Sequence, residues 1–113
     1  MRGTNPTRKR PMHPLVQNKL PEIAELCRRY HVRRLDLFGS AAGDRFDPER
    51  SDIDFVVEYL PEAAKGFGGD YFALKEALET LFNRNVDLVS FKAIRNPYFL
   101  EEVEETRVGI YAA

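Results

Sequence analysis

Ser51-Asp52-Ile53-Asp54 stands eleven residues beyond Phe38-Gly39-Ser40 and heads the apolar run Phe55-Val56-Val57. In an extended segment side chains alternate between faces, so Asp52 and Asp54 share one face while Ile53 and Phe55 take the other. Two like charges at that spacing repel unless a cation lies between them. Hard oxygen donors suit Mg²⁺, with Mn²⁺ the alternative ion. A third carboxylate, Asp87, interrupts a second apolar run, Val86-Asp87-Leu88-Val89. Three carboxylates on neighbouring strands, beside a Gly-Ser turn, are parts suited to holding metal ions and the phosphates of a nucleotide. The chemistry this would serve is phosphoryl or nucleotidyl transfer, which asks a protein for positioning and charge neutralisation rather than covalent help.

The elements that must position these residues follow from periodicity. Ile23, Leu26, Cys27 and Tyr30 recur at helical spacing, with Pro21 suited to a first turn. Leu15, Val16 and Leu20 fit a short preceding turn or helix. Arg34-Leu35-Asp36-Leu37-Phe38 reads as a strand entering the Gly39-Ser40 turn, and residues 41–50 as a short helical turn followed by a loop. Residues 52–59 form a second strand whose unbroken apolar run predicts burial on both faces. Pro61, Gly66, Gly68 and Gly69 mark a mobile loop. Asp70 then suits a helix N-cap, and Tyr71, Leu74, Leu78 and Leu81 follow the helical repeat. Residues 86–91 form a third strand. Asn96 and Pro97 open a helix that turns Leu100 and Val103 inward and leaves Glu101, Glu102, Glu104 and Glu105 wet. Gly109-Ile110-Tyr111 either adds a short edge strand or packs down. The order predicts a small mixed sheet of three to four strands with helices packed on one face, an α/β (α+β) domain.

At 113 residues, with 43% hydrophobic and 31% charged, the chain has the balance of one ordinary globular domain. That domain is placed over residues 15–113. Residues 1–14, with Arg2, Arg8, Lys9 and Arg10 among Pro6, Pro11 and Pro14, read as a disordered basic arm. No apolar stretch approaches a membrane span, and nothing at the start reads as a signal peptide. Cys27 is the single cysteine, placed in a helical stripe as a core residue, so a reducing cytoplasm is the expected setting. A net charge of −1 supplies no basic field for nucleic acid, and no aromatic-rich strand suggests RNA. His13 and His31 lack zinc-site spacing. Asp36 precedes the turn and is read as an outward or capping carboxylate. Arg45, Arg50 and Lys75 are candidate phosphate contacts.

The run LFGSAAGDRFDPERSDIDFVV, with the later VDLV, resembles the nucleotidyltransferase superfamily of DNA polymerase beta, and within it the minimal nucleotidyltransferase (MNT) group. Neither Gly-Ser nor Asp-x-Asp is specific alone; together, with a third Asp on a following strand, they are. The resemblance implies the nucleotidyltransferase fold and transfer of AMP from ATP to an acceptor hydroxyl with two Mg²⁺. It implies that Asp52 and Asp54 bridge both ions and that Asp87 completes the shell of the ion that activates the acceptor. Gly39 would let the backbone approach a phosphate, and Ser40 would donate its hydroxyl and N–H. Ser51 would cap or brace the carboxylate loop. Many MNT proteins place a basic residue soon after the small pair; here Ala41-Ala42 lead to Gly43 and Asp44, so Arg45 is the first candidate for that role. Small MNT proteins act as antitoxins against HEPN-type ribonuclease toxins, in part by adenylylating a tyrosine, so a HEPN partner is implied too. The alternative is an MNT fold that neutralises its partner by binding alone.

If Ser40 contacts phosphate, Ser40→Ala weakens nucleotide binding by ~1.5–3 kcal/mol, the worth of a charge-assisted hydrogen bond. Calorimetric titration with Mg²⁺-ATP measures this, and wild-type affinity in the variant would make the turn purely structural.

Overall fold

The computed structural model describes residues 14–39, 52–61 and 69–113. A single turn, α1 (Pro14–Gln17), leads into α2 (Leu20–Arg29), which carries Pro21 near its start and buries Ile23 and Cys27. His31, at φ 62°, turns the chain into β1 (Val32–Phe38). There follow β2 (Ile53–Tyr59), α3 (Gly69–Phe82) and β3 (Val86–Ser90), then a 3-10 turn over Phe91–Ala93. The chain closes with α4 (Pro97–Thr106) and β4 (Val108–Ala112). Asn96 caps α4 as its sequence predicts: its side-chain oxygen accepts the N–H groups of Tyr98 (2.8 Å) and Phe99 (3.3 Å).

The four strands form one mixed sheet in the order β3-β2-β1-β4. β1 runs antiparallel to both β2 and β4, and β2 runs parallel to β3. The terminal segment is therefore a true edge strand. Leu35, Leu37, Ile53, Phe55, Val57, Val86 and Leu88 turn to one face, where they form the main core with Val16, Ile23, Cys27, Leu74 and Leu78. Burial of Cys27 pushes its thiol up to about 12, so it is an inert core group, as its place in the helical stripe predicts.

Helices on one face alone were expected; that holds for α1, α2 and α3, whereas α4 crosses the opposite face. Phe38, Val56 and Val103 are buried there, with Val89, Phe91, Ile94 and Phe99 packed around them, and Phe38 meets Phe99 edge to face at 5.7 Å. The reason lies in β2, which carries apolar residues on both sides and needs both covered. Phe99, rather than Leu100, joins Val103 in this second cluster. The outer edge of β3 is tied down by α3. The Tyr71 hydroxyl donates to the Leu88 carbonyl at 2.5 Å, and Val86 N–H donates to Glu79 Oε2 at 3.1 Å. These bonds satisfy polar groups that an edge strand would otherwise leave open.

Asp36 departs from its expected outward placement. It is fully buried in β1, on the α4 side of the sheet. Arg34 reaches its Oδ2 at 2.9 Å, and Arg107, between α4 and β4, donates its Nε to the same oxygen. Arg107 also approaches Glu58 at 3.6 Å and Glu104 at 3.7 Å and lies 5.0 Å over the Phe91 ring. Removing Arg107 leaves the buried carboxylate with only the solvent-exposed Arg34 as a cation, a poorer partner. Arg107→Met, similar in length and uncharged, therefore lowers the free energy of unfolding by about 3 kcal/mol in urea denaturation. A loss below about 1 kcal/mol would show that Arg34 alone holds the carboxylate.

Candidate active site

One end of the sheet gathers the predicted chemistry. The carboxyl end of β1 delivers Phe38 and Gly39, the start of β2 delivers Asp52 and Asp54, and β3 delivers Asp87. Asp54 is register partner to Phe38 on one side and to Asp87 on the other. In a parallel pair neighbouring strands lie about 4.8 Å apart, so the two aspartates emerge side by side on the face that α4 covers. Asp52 precedes β2 by one residue and is exposed, as is Asp87; Asp54 is half-buried between them. Ser40, Arg45, Arg50 and Ser51, assigned to phosphate or to the carboxylate loop, lie outside the described residues, as do residues 1–13 of the basic arm placed over residues 1–14; Pro14, its last residue, begins α1.

Burial pushes the Asp54 carboxyl up to about 6, and the negative charges of Asp87, Asp52 and Glu102 add to the rise. The aspartates predicted as a set thus feel one another through space. Glu102, on α4, is a fourth carboxylate that sequence reasoning left on the solvent side; nothing in its spacing marks it. Among the described residues no three acidic, histidine or cysteine side chains are drawn close enough to hold a metal ion. The donor set nonetheless suits a hard divalent cation: it consists of carboxylates whose mutual repulsion a positive charge would relieve.

Gly39 is required by geometry. Its φ is +74°, and a Cβ built on it would stand 2.5 Å from Asp54 Oδ2. Any side chain here collides with the central carboxylate and also demands a backbone angle that L-residues avoid. Gly39 N–H points inward to Thr106 Oγ1 at 3.3 Å. Lys75, a candidate phosphate contact, bonds Glu79 Oε2 at 2.8 Å, and the same oxygen supports the start of β3. No helix among the described residues is long and apolar enough to cross a membrane.

Comparison with known proteins fits this geometry. The family model of the nucleotidyltransferase domain matches residues 20–110. A candidate protein adenylyltransferase of Methanocaldococcus jannaschii is 38% identical over 100 residues, spanning 80% of this chain and 97% of that protein. A solved structure described as a minimal nucleotidyltransferase aligns with a TM-score of 0.70 at 28% identity, over 84% of this chain and 92% of that one. A chain from the complex of tri-AMPylated Shewanella oneidensis HEPN toxin with MNT antitoxin aligns at 0.60 and 19% identity, over 87% and 73%, a likeness of fold.

The raised Asp54 has a consequence for stability. Because the folded state holds this proton more tightly than an unfolded aspartate does, ionisation disfavours folding. Stability therefore falls as pH rises from 3.8 to about 6 and is level above. Asp54→Asn removes the penalty and stabilises the fold at pH 7 by roughly 1 kcal/mol once half-exposure is allowed for. Thermal melts at acid and neutral pH check this: the gain disappears near pH 4. Equal gains at both would show the carboxylate to be unperturbed.

Proposed function

The chain belongs to the nucleotidyltransferase domain family, and from that premise we propose that it is a protein adenylyltransferase that moves AMP from ATP to a tyrosine hydroxyl of a HEPN-type toxin. The observation that carries the reading is the register setting Asp54 beside Asp87 on one face, against a glycine that only a bare Cα could fill. The adenylyltransferase name of the 38% identical relative supports the reaction type. An AMPylated toxin beside a chain of the same fold suggests the acceptor.

In the proposed reaction the acceptor oxygen bonds to the α-phosphorus of ATP, the bond from that phosphorus to the bridging oxygen breaks, and pyrophosphate leaves. Asp52, Asp54 and Asp87 are the residues that would hold Mg²⁺, or Mn²⁺ in its place. When bound, the ion supplies neutralisation of phosphate charge and acidifies the acceptor hydroxyl. Asp87, exposed on β3, would take the acceptor's proton. Asp54 must be ionised to serve as a ligand, which its raised value permits at neutral pH. Ser40 and Arg45 would meet the phosphates, and Ser51 would brace the loop ahead of Asp52. The chain supplies position and charge, which suffices for this chemistry.

A second reading, neutralisation by binding without turnover, draws on one observation: among the described residues the carboxylates do not close into a three-ligand group. Replacing both Asp52 and Asp54 with Asn decides between the two, since it removes charge and keeps shape. The measurement is intact mass spectrometry of a co-expressed HEPN-type toxin. Wild type leaves AMP-sized increments on the toxin, and the double variant leaves none, a rate loss of at least roughly 10²-fold, while still co-purifying with it. An unmodified toxin with wild type, together with full neutralisation by the double variant, would establish the binding reading instead.

A further inference from the structure

We infer that Thr106 is a positioning residue for Gly39, its hydroxyl hanging that glycine from the last turn of α4. Thr106 Oγ1 donates to the Glu102 carbonyl at 2.9 Å and accepts Gly39 N–H at 3.3 Å. A hydroxyl has one proton, so giving it to Glu102 leaves the oxygen lone pairs to receive Gly39. Thr106 is itself well placed for the task. Val103, one turn earlier, is fully buried in the second cluster, and the next residue, Arg107, is held by the buried Asp36. Gly39 is thus fixed to a part of the structure anchored on both sides.

What the bond controls is the conformation of a glycine at φ +74°, with Asp54 Oδ2 only 2.5 Å from where a Cβ would stand. Glycine visits many backbone states at little cost, so an untied turn spreads over several of them. The fraction competent to receive a nucleotide then falls, and apparent affinity falls in proportion. The bond also turns Gly39 N–H inward, toward α4. The inference rests on the reading of this turn as a nucleotide contact.

Two substitutions test it in the full chain. Thr106→Val keeps the branched shape and helical preference and removes the hydroxyl; Thr106→Ser keeps the hydroxyl. Affinity for Mg²⁺-ATP is measured by calorimetry, Gly39 amide exchange by NMR and overall stability by thermal melting. The expected result is a roughly 5- to 10-fold weaker affinity and a similar loss of Gly39 protection in Thr106→Val, the size of one neutral hydrogen bond. Neighbouring β1 amides stay protected, and Thr106→Ser restores both properties. Wild-type affinity and wild-type Gly39 exchange in Thr106→Val would overturn the inference, as would a weakened affinity that serine does not restore. A wild type that binds no nucleotide, with Gly39 still released by valine, would instead defeat the nucleotide reading and reduce the bond to a structural tie.

Discussion

A fully buried carboxylate on a central strand needs a cation, and Asp36 obtains one from Arg107. These residues lie 71 positions apart, so their pairing joins the first strand to the last. It sets where β4 leaves α4 and where α4 ends over the second face. Thr106, the neighbour of Arg107, is thereby brought to the Gly39 turn, and Phe91 is covered by the same guanidinium. One ion pair therefore connects the register of the sheet to the geometry of the turn. Such pairs add little net stability against an apolar substitute, but they are severe on any arrangement that leaves one partner alone. Their value here is in excluding other placements of the final helix and strand.

The carboxylates at the other end of the same face follow the opposite logic. Asp54 has carboxylate neighbours in Asp52, Asp87 and Glu102, and burial compounds their effect. The fold tolerates this because the surrounding apolar layers are extensive: a main core beneath three helices and a second cluster beneath α4. A nucleotidyltransferase works by meeting a highly charged substrate with a preorganised field, and such a field is unfavourable until a cation enters. Asp36 and Asp54 lie two residues apart on the faces of paired strands, one carboxylate neutralised from within the fold and the other held in surplus. The contrast separates the two carboxylates better than either residue type or strand position does.

Local pattern made much of this legible in advance. Helical spacing located α2, α3 and α4, Asn96-Pro97 marked the start of α4, and the apolar runs located β1, β2 and β3. The Asp-x-Asp pair and Asp87 stood out because charged residues interrupting apolar runs are costly, and the structure brings Asp54 and Asp87 into register. Even the coverage of the second face was implied by the two-sided apolar character of β2, although α4 was expected on the same side as the other helices.

What the chain determined by itself were interactions of short range: turn and cap chemistry, strand and helix period, and the order of elements that together identify the family. Tertiary structure decided the rest. It buried Asp36, gave Lys75 to Glu79, brought Glu102 toward Asp54 and set Thr106 against Gly39. The physical reason is common to all four. A polar side chain carries no sign of which distant partner will satisfy it, because that choice depends on where two separately formed elements meet, and periodicity records only the face an element turns inward.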